Sequence, residues 1–375
     1  MSRFLITCGG TGGHLSPGIS LAEGLQARGH ETVLLISRKA VDTRLAGKYP
    51  HLRFERMPGT GLSWRPAGLA RFAVSQTQAV QFCLRLMRRF RPESIVGFGG
   101  FTSAPVMLAA GVLGIPSALH ESNRVPGRAV RTLGRFADRL YLPPGIRLPG
   151  IGNAVVRHVG LPVRSEIVRV PAGTARAALG FDPDLPLLVL LGGSQGATAL
   201  NQWARSAAPA LAAAGTQLCV VTGLGKGEEE TLAHPGPAGR PVTARFLAFS
   251  DRMAELMSAA DLVVSRAGAG TLAELIRCET PAVLVPYPQA ADDHQRANAD
   301  YFAREGGGTV VPQTELDRLL PQVLALLRHG AALRIHRENL RRMDRANSLE
   351  LMLVDLEHLA RRPRPGRGEG TLVIA

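Results

Sequence analysis

The sequence predicts an α/β protein built from two Rossmann-like domains in tandem, and three observations favour this fold class. First, 375 residues exceed the span that one hydrophobic core usually covers. Second, short apolar runs alternate with amphipathic stretches in both halves, as in sheets of parallel strands joined by helices. Third, a glycine-rich loop directly follows the first strong strand of each half, CGGTGGH at 8–14 and LGGSQGA at 191–197.

Five strands and four helices are predicted in the first half. The strands are FLIT (4–7), TVLLI (32–36), SIVGF (94–98), PSALH (116–120) and DRLYL (138–142). The helices are 17–28, about 67–90, 103–113 and 126–135. Gly29 and Gly114 follow two of these helices at positions typical of C-caps. Because the strands are mostly apolar rather than alternating, we expect a parallel sheet that is covered on both faces.

The same pattern restarts after a Pro/Gly-rich passage. Residues 143–165 are therefore a predicted linker between an N-terminal domain at 1–142 and a C-terminal domain at 166–345. The second set of strands is PLLVLL (186–191), TQLCVV (216–221), ARFLAF (244–249), DLVVS (261–265) and PAVLVP (281–286). We expect 346–360 to form a helix that returns to the N-terminal domain, and 361–375 to be a disordered tail.

Composition and charge narrow the classes of function. The chain is 45% hydrophobic and 20% charged, which is typical of soluble globular proteins. No segment approaches the ~20 apolar residues of a membrane span, and no signal peptide is predicted. Four scattered cysteines without a CxxC pair indicate free thiols in a reducing compartment, the cytoplasm.

The positive charge is concentrated at one end of the chain. The formal net charge is +14, of which +12 falls in residues 1–142. This asymmetry predicts an anionic partner for the first half: nucleic acid, an acidic membrane surface or a phosphorylated substrate. A GC-rich genome that favours arginine is the alternative explanation. Nucleic acid is disfavoured, because aromatic residues are only 5% and no basic recognition helix accompanies the charge.

Three glycine-rich loops follow predicted strands, and such loops hold anions on bare N–H groups at a helix N-terminus. They are GGTGGH, GGSQGATALN and SRAGAGTLAEL at 265–275. In the third, Glu274 is placed to bridge a ribose diol with its two carboxylate oxygens. None of the three matches the GxGxxG of a dehydrogenase with its later acidic residue, or the P-loop of a Walker-type ATPase.

Seven motifs, taken together in their order along the chain, are more specific than any single glycine-rich loop. They are GGTGGH, GFGGFTSAP (97–105), HESN (120–123), GLPVR (160–164), GGSQGA (192–197), FSDRMAELMSAADLVVSRAGAGTLAE (249–274) and PYPQAADDHQRANA (286–299). Together they closely resemble the MurG family of peptidoglycan synthesis, over about residues 1–312. The resemblance implies a GT-B fold, with two Rossmann-like domains facing across a cleft. It also implies inverting transfer of GlcNAc from UDP-GlcNAc to the C4 hydroxyl of MurNAc-pentapeptide-pyrophosphoryl-undecaprenol at the cytoplasmic face of the inner membrane, with other cell-wall synthesis proteins as partners.

The resemblance also assigns donor-binding residues. The set expected to contact UDP-GlcNAc is Thr11, Gly12, Gly13, Asn123, Arg164, Ser194, Ser250, Ala269, Gly270, Thr271, Leu272, Ala273, Glu274 and Gln295. Three positions depart from the family pattern: Phe101 replaces a tyrosine, Leu161 replaces an asparagine, and Arg124 follows HESN where a smaller residue is common.

In an inverting transfer, a base removes the proton of the attacking hydroxyl while the leaving diphosphate is stabilised. His14 is the predicted base because imidazole titrates near neutral pH, and His120 and Glu121 are the alternatives. Helix N-termini after Gly196 and Gly270, with Arg164, are expected to stabilise the leaving UDP. No DxD-like metal site is recognised, so we expect no obligatory metal and no cofactor.

The stretch 65–91 predicts a helix with an apolar side flanked by arginines. Most of that side is expected to pack in the core. A patch formed by Leu62, Trp64, Leu69, Phe72, Arg85, Arg88 and Arg89 is predicted to dock on anionic lipid without spanning the bilayer. Two alternatives remain for the activity: another GT-B enzyme, such as a diacylglycerol glycosyltransferase, and a soluble UDP-GlcNAc 2-epimerase.

Overall fold

A computed structural model of the chain describes residues 1–10, 12–59, 66–152, 154–193, 197–227, 229–345 and 347–361, without the side chains of 12, 40, 41 and 66–70. The chain forms two compact units. Unit 1 comprises Met1–Ser122, Pro126–Pro162 and the C-terminal segment from Asn347. Unit 2 comprises Asn123–Val125 and Val163–Ala346.

Unit 1 contains a seven-stranded parallel sheet in the order β3-β2-β1-β4-β5-β6-β7. Its strands are β1 (Arg3–Thr7), β2 (Glu31–Ile36), β3 (Phe54–Arg56), β4 (Ser94–Gly97), β5 (Ser117–His120), β6 (Arg139–Leu142) and β7 (Val155–His158). The helices between them are α1 (Gly12–Ala27), α2 (Ala40–Ala46), α3 (Pro66–Phe90), α4 (Ser103–Leu113) and α5 (Arg128–Leu133), followed by a short 3₁₀ turn at Gly134–Phe136. The central strands are buried on both faces, so their sequences read as continuous apolar runs.

Unit 2 repeats this plan with a sheet in the order β10-β11-β9-β8-β12-β13-β14. Its strands are β8 (Leu187–Leu191), β9 (Gln217–Val221), β10 (Glu230–Pro235), β11 (Pro241–Leu247), β12 (Leu262–Ser265), β13 (Ala282–Leu284) and β14 (Gly308–Val310). Its helices are α6 (Ala172–Ala178), α7 (Thr198–Ala213), α8 (Met253–Ala259), α9 (Ala269–Arg277), α10 (His294–Arg304), α11 (Leu319–Arg328) and α12 (Gly330–Met343). All pairings are parallel except that of β10 with β11.

The last helix, α13 (Ser348–Ala360), belongs to unit 1 and packs on α1. Met352, Leu353, Leu356 and Leu359 of α13 are buried in the same core cluster as Phe4 and Ile6 of β1. The expected tail begins at 361, and all of it beyond that residue lies outside the described residues.

The segment expected to be a linker, 143–165, differs most from the prediction. Residues 155–158 form β7, which pairs in parallel with β6 and extends the first sheet. Because β7 is short and half exposed, its sequence lacks the apolar run that marks the inner strands. The division between the units consequently falls at Pro162–Val163.

Helix α1 also begins earlier than expected, at Gly12 instead of 17. Both glycine C-caps have the left-handed backbone expected of them, with φ +78° at Gly29 and +61° at Gly114. No helix in the described ranges has both the length and the apolar character needed to cross a bilayer.

Candidate active site

Each sheet has one point at which the strand order reverses, and ligands of such folds bind outside the carboxyl ends of the strands at this point. In unit 1 the reversal lies between β1 and β4, and in unit 2 between β8 and β12. The loops that follow these strands are the glycine-rich segments that the sequence singles out. Topology therefore gives each unit one candidate ligand edge.

His14 lies at the unit 1 edge, in the first turn of α1 and half-buried. Its imidazole packs on the backbone of the loop after β4. A Cβ atom on Gly100 would lie 3.2 Å from His14 Nδ1, and one on Gly99 would lie 3.8 Å from Nε2. Both glycines also have positive φ, +85° at Gly99 and +74° at Gly100. In the GFGG motif, the positive φ accounts for Gly99 and Gly100, the close approach of this imidazole adds a second reason for Gly100, and Gly97 is confined by Leu119 and Ser103.

The two alternative bases lie deeper in unit 1. His120 is 1% exposed, its Nε2 lies 3.3 Å from Gly160 O, and burial lowers its pKa to about 4. Glu121 is 4% exposed and accepts a 2.6 Å hydrogen bond from the Gly127 N–H. Of the three candidates, only His14 is more than marginally exposed, so the geometry favours His14 as the group that meets substrate.

The first glycine of the β1 loop is required by packing. A Cβ on Gly9 would lie 2.3 Å from Ser37 N, at the end of β2. The expectation that ligand approach demands glycine was made for Gly12 and Gly13. Gly13 is exposed at the start of α1, while Thr11 and the surroundings of Gly12 lie outside the described residues. Their assignment to the donor stays a prediction.

In unit 2, the loop after β12 leads directly into α9, whose N-cap is Gly268. The first turn, Ala269 to Thr271, is half-buried at the carboxyl edge of the sheet, and the N–H groups of such a turn lack intrahelical partners. Helix α9 thus begins before Gly270 and not after it. Ala273 is half-buried, whereas the Leu272 side chain is part of the unit 2 core and its N–H donates to Gly268 O.

Arg164 and Glu274, which the resemblance assigns to different parts of UDP, contact each other. Arg164 Nη2 lies 3.0 Å from Glu274 Oε1, and Arg164 Nη1 lies 3.1 Å from Glu166 Oε1. Burial raises the pKa of Glu274, and the charge of Arg164 partly opposes this shift. The two contacts leave Arg164 opposite two carboxylates, and its expected role as a counter-charge for the diphosphate stays a prediction. Its contact fixes the Glu274 carboxylate.

Two further predicted residues use their side-chain oxygens to shape loops. Gln295 Oε1 accepts hydrogen bonds from Tyr287 N at 2.9 Å and Ala267 N at 3.3 Å. Ser250 Oγ accepts one from Arg252 N at 3.1 Å. The amide group of Gln295 therefore has its oxygen turned to the protein. Ser194 lies outside the described residues.

A buried asparagine that sequence reasoning missed holds the end of the HESN motif. Asn298 is 3% exposed; its Nδ2 donates to Asn123 Oδ1 and Ala267 O, and its Oδ1 accepts from Arg124 N. Arg124 departs from the family pattern, and its Cζ lies 4.0 Å from the centre of the Tyr301 ring. The only sequence signal for Asn298 was its place in the DDHQRANA segment, which carries no indication of these partners.

Helix α3 has the predicted division of its faces. Ala79, Cys83, Leu86, Met87 and Phe90 are buried in the unit 1 core. Phe72 is half-buried, whereas Arg85, Arg88 and Arg89 are exposed, with Arg89 Nη2 3.6 Å from Glu55 Oε1. Leu62 and Trp64, and the side chain of Leu69, lie outside the described residues.

In the described ranges, no group of three or more His, Cys, Asp or Glu side chains is arranged to hold a metal ion.

Comparison with known proteins places these features in a family. Residues 4–142 match the glycosyltransferase family 28 N-terminal domain, and 187–349 match the glycosyltransferase family 28 C-terminal domain. The UDP-N-acetylglucosamine--N-acetylmuramyl-(pentapeptide) pyrophosphoryl-undecaprenol N-acetylglucosamine transferase of Opitutus terrae is 61% identical over 371 residues, which cover 99% of this chain and 98% of that enzyme. The chain belongs to the MurG family. It is therefore an enzyme of the glycosyltransferase class, as predicted.

Other MurG relatives support this assignment. The enzyme of the same description from Synechococcus elongatus is 38% identical, with 88% of this chain and 90% of the relative covered. The crystal structure of MurG from Acinetobacter baumannii superimposes with a TM-score of 0.72 at 26% identity, over 96% of this chain and 100% of that one. The glycosyltransferase SsfS6 of Streptomyces sp. SF2575 has a TM-score of 0.62 at 18% identity, over 95% and 100%. This last likeness concerns the fold alone.

Proposed function

We infer that this chain transfers GlcNAc from UDP-GlcNAc to the C4 hydroxyl of a lipid-linked MurNAc-pentapeptide, with inversion at the anomeric carbon. The observation that carries the inference is the 61% identity to the Opitutus terrae transferase over nearly the whole of both chains. It agrees with two glycine-rich edges, one in each unit, and with a half-buried histidine at one of them.

The chemistry needs a base and a stabilised leaving group. The C4 hydroxyl oxygen forms the new bond to the anomeric carbon while the bond from that carbon to the UDP oxygen breaks. His14 accepts the hydroxyl proton, because among the three candidate bases it is the one that reaches solvent. UDP departs with the bonding electron pair, and its negative charge is stabilised by N–H groups such as those at the start of α9.

Donor recognition is proposed to centre on α9 and α10. Glu274, held by Arg164, accepts hydrogen bonds from the ribose hydroxyls. Gln295 has its oxygen committed to two backbone N–H groups, so its amide nitrogen is the group that meets a sugar oxygen. Asn298 Nδ2 donates a hydrogen bond to Asn123 Oδ1, so the amide nitrogen of Asn123 is likewise proposed to donate to the GlcNAc moiety. Thr11, Gly12, Gly13, Ser194 and Ser250 complete the proposed donor contacts.

Membrane docking is proposed through unit 1. Residues 1–142 carry +12 of the net charge, and α3 exposes Arg85 and Arg88 beside the half-buried Phe72. Such a surface attracts anionic lipid at about 1 kcal/mol per basic side chain. We propose peripheral attachment at the cytoplasmic face of the inner membrane, where a lipid-linked acceptor is presented, and other cell-wall synthesis proteins as neighbours.

The test is a transfer assay with purified full-length protein, labelled UDP-GlcNAc and a lipid-linked MurNAc-pentapeptide analogue. The expected product is the lipid-linked disaccharide, at an unchanged rate when EDTA is present, because helix N-termini and not a metal are proposed to stabilise UDP. A diacylglycerol acceptor in place of the muramyl lipid tests the rival glycosyltransferase. Conversion of UDP-GlcNAc without any acceptor would indicate an epimerase. Glycosylation of diacylglycerol, or conversion of UDP-GlcNAc without an acceptor, overturns the proposed function if no lipid-linked disaccharide is formed.

A further inference from the structure

The peptide unit at Gly10, in the β1 loop, is held on both sides by the segment that follows β2. Gly10 N–H donates to Asp42 Oδ2 at 2.8 Å, and Gly10 O accepts from Lys39 Nζ at 2.9 Å. The backbone at Gly10 has φ +113°, a conformation that L side chains rarely adopt. Neither contact is needed to build the sheet, because both lie beyond the ends of β1 and β2.

Asp42 is a buried carboxylate that accepts hydrogen bonds from two backbone N–H groups and one hydroxyl. It is 0% exposed, and the same Oδ2 accepts hydrogen bonds from Ser37 N at 3.1 Å and Ser37 Oγ at 2.5 Å. Together with burial, its charge raises the pKa of the Cys8 thiol, two residues before Gly10. A buried carboxylate that accepts several directed hydrogen bonds holds its partners far more firmly than an exposed one.

The loop after β4 confines the same segment from the other side. A Cβ on Gly10 would lie 3.3 Å from Phe101 Cε1, and Thr102 Oγ1 donates to Gly9 O at 3.2 Å. The Lys39 ammonium also lies 5.6 Å from the centre of the Phe101 ring. Gly9 and Gly10 are thus fixed by side chains from both neighbouring loops, and His14 follows four positions after Gly10.

We propose that Asp42 is a positioning residue that fixes the β1 loop, and through it the His14 imidazole, for glycosyl transfer. This proposal rests on the proposed function. Asp42 reaches no substrate, because its side chain is fully buried. Removing it leaves the Gly10 and Ser37 N–H groups buried without an acceptor, so the loop must rearrange to find new partners. A shift of about 1 Å at a reacting group can cost 10²-fold in rate.

The test compares Asp42→Ala and the milder Asp42→Asn with Asp138→Ala in the full-length enzyme. Asp138 is the matched control: its Oδ2 accepts a hydrogen bond from Ser117 N at 2.8 Å. This contact lies at the amino ends of β5 and β6, away from the ligand-binding carboxyl ends of the strands. We expect kcat to fall about 100-fold in Asp42→Ala and about tenfold in Asp42→Asn, with donor KM changed by less than about twofold. Asp138→Ala should lose stability but keep its kinetic constants.

Hydrogen–deuterium exchange over residues 8–15 supplies a readout that does not depend on activity. Exchange there should quicken in both Asp42 variants and stay at the wild-type rate in the control. A folded Asp42→Ala with wild-type kcat overturns the proposal. If that variant does not fold, Asp42→Asn with unchanged kcat and unchanged exchange overturns it. A wild-type enzyme that transfers no GlcNAc contradicts the proposed function instead, and the exchange result still reports whether Asp42 fixes the loop.

Discussion

The ion pair between Arg164 and Glu274 makes donor binding depend on the two residues together. Arg164→Met should raise the pKa of Glu274 further, because burial remains while the opposing charge is lost. We expect Arg164→Met and Glu274→Gln each to weaken UDP binding about tenfold, and the double variant to be no weaker than the worse single variant. Calorimetric titration with UDP measures this. Glu338→Gln is the control, since Glu338 is an exposed carboxylate on α12 of unit 2, and additive losses would contradict the coupling.

His14 is the residue on which the proposed chemistry depends most directly. His14→Ala should lower kcat by ~10²-fold or more, because the acceptor proton then has no base, while the affinity for UDP-GlcNAc persists. His51→Ala is a suitable control, because His51 is an exposed histidine of the same unit paired with Glu23. Wild-type turnover in His14→Ala would remove the residue from the role of base.

His120 gives unit 1 a pH-dependent stability. Its pKa is about 4 in the folded protein, lowered by burial from an ordinary value of 6.5. Between these values the unfolded chain binds a proton that the folded chain does not, so stability rises with pH across the window and falls on acidification. The free energy of unfolding should drop by up to about 1.4 kcal/mol per pH unit from 6.5 toward 4.

Urea unfolding at pH 5, 6 and 7.5 measures this dependence. His120→Gln, which keeps a donor near Gly160 O but cannot titrate, should show a shallower slope across the same range. An identical slope in the wild type and the variant would show that other groups set the pH dependence.

At the scale of elements, the apolar inner strands were predictable because they are buried on both faces. The sequence placed β1, β2, β4, β5, β6, β8, β9 and β12 within about one residue of their bounds. The four edge strands were missed: β3, β7, β10 and β14 are short or exposed, and β10 reads ETLAHP with polar and exposed positions. Such strands form through pairing with a neighbour, which a local apolar pattern does not record.

The candidate site was predictable where the sequence marks backbone geometry and not where it depends on distant partners. Glycine-rich loops indicated both ligand edges, and in unit 1 glycine is favoured by the positive φ at Gly99 and Gly100 and by the close packing at Gly100. Asp42, 32 positions after Gly10, has no local pattern that indicates the contact. The same holds for Asn298 and Asn123, which lie 175 positions apart.

Helix α3 carries the prediction for membrane attachment. Reversing two exposed charges in Arg85→Glu/Arg88→Glu should weaken binding to anionic vesicles at least about tenfold, since each basic side chain contributes about 1 kcal/mol. Arg334→Glu/Arg342→Glu on α12 of unit 2 changes the net charge equally and serves as control. Co-sedimentation at low and high salt is the measurement. Equal losses in both double variants would assign the attraction to overall charge and not to α3.

At the scale of the whole molecule, helix α13 packs in unit 1 against elements from the first part of the chain. Asp355 of α13 binds the buried Arg139 Nε at 3.0 Å and accepts from Tyr141 OH at 2.9 Å. On α1, a Cβ at Gly24 would lie 2.9 Å from Leu353 Cδ1. A helix that follows all of unit 2 in the sequence thus completes the core of unit 1, whose other residues are 1–122 and 126–162.

Removing residues 347–375 should therefore destabilise unit 1 and spare unit 2. Four buried apolar side chains of α13 are lost, which costs more than about 5 kcal/mol, and the buried Arg139 loses its counter-charge. Hydrogen exchange should then quicken across residues 1–162 and remain at its wild-type rate in 163–345. A shorter deletion of 362–375, which keeps α13, is the matched control and should change neither. Equal protection of residues 1–162 in both deletions would mean that the unit folds without α13, and that the C-terminal helix covers a core already stable by itself.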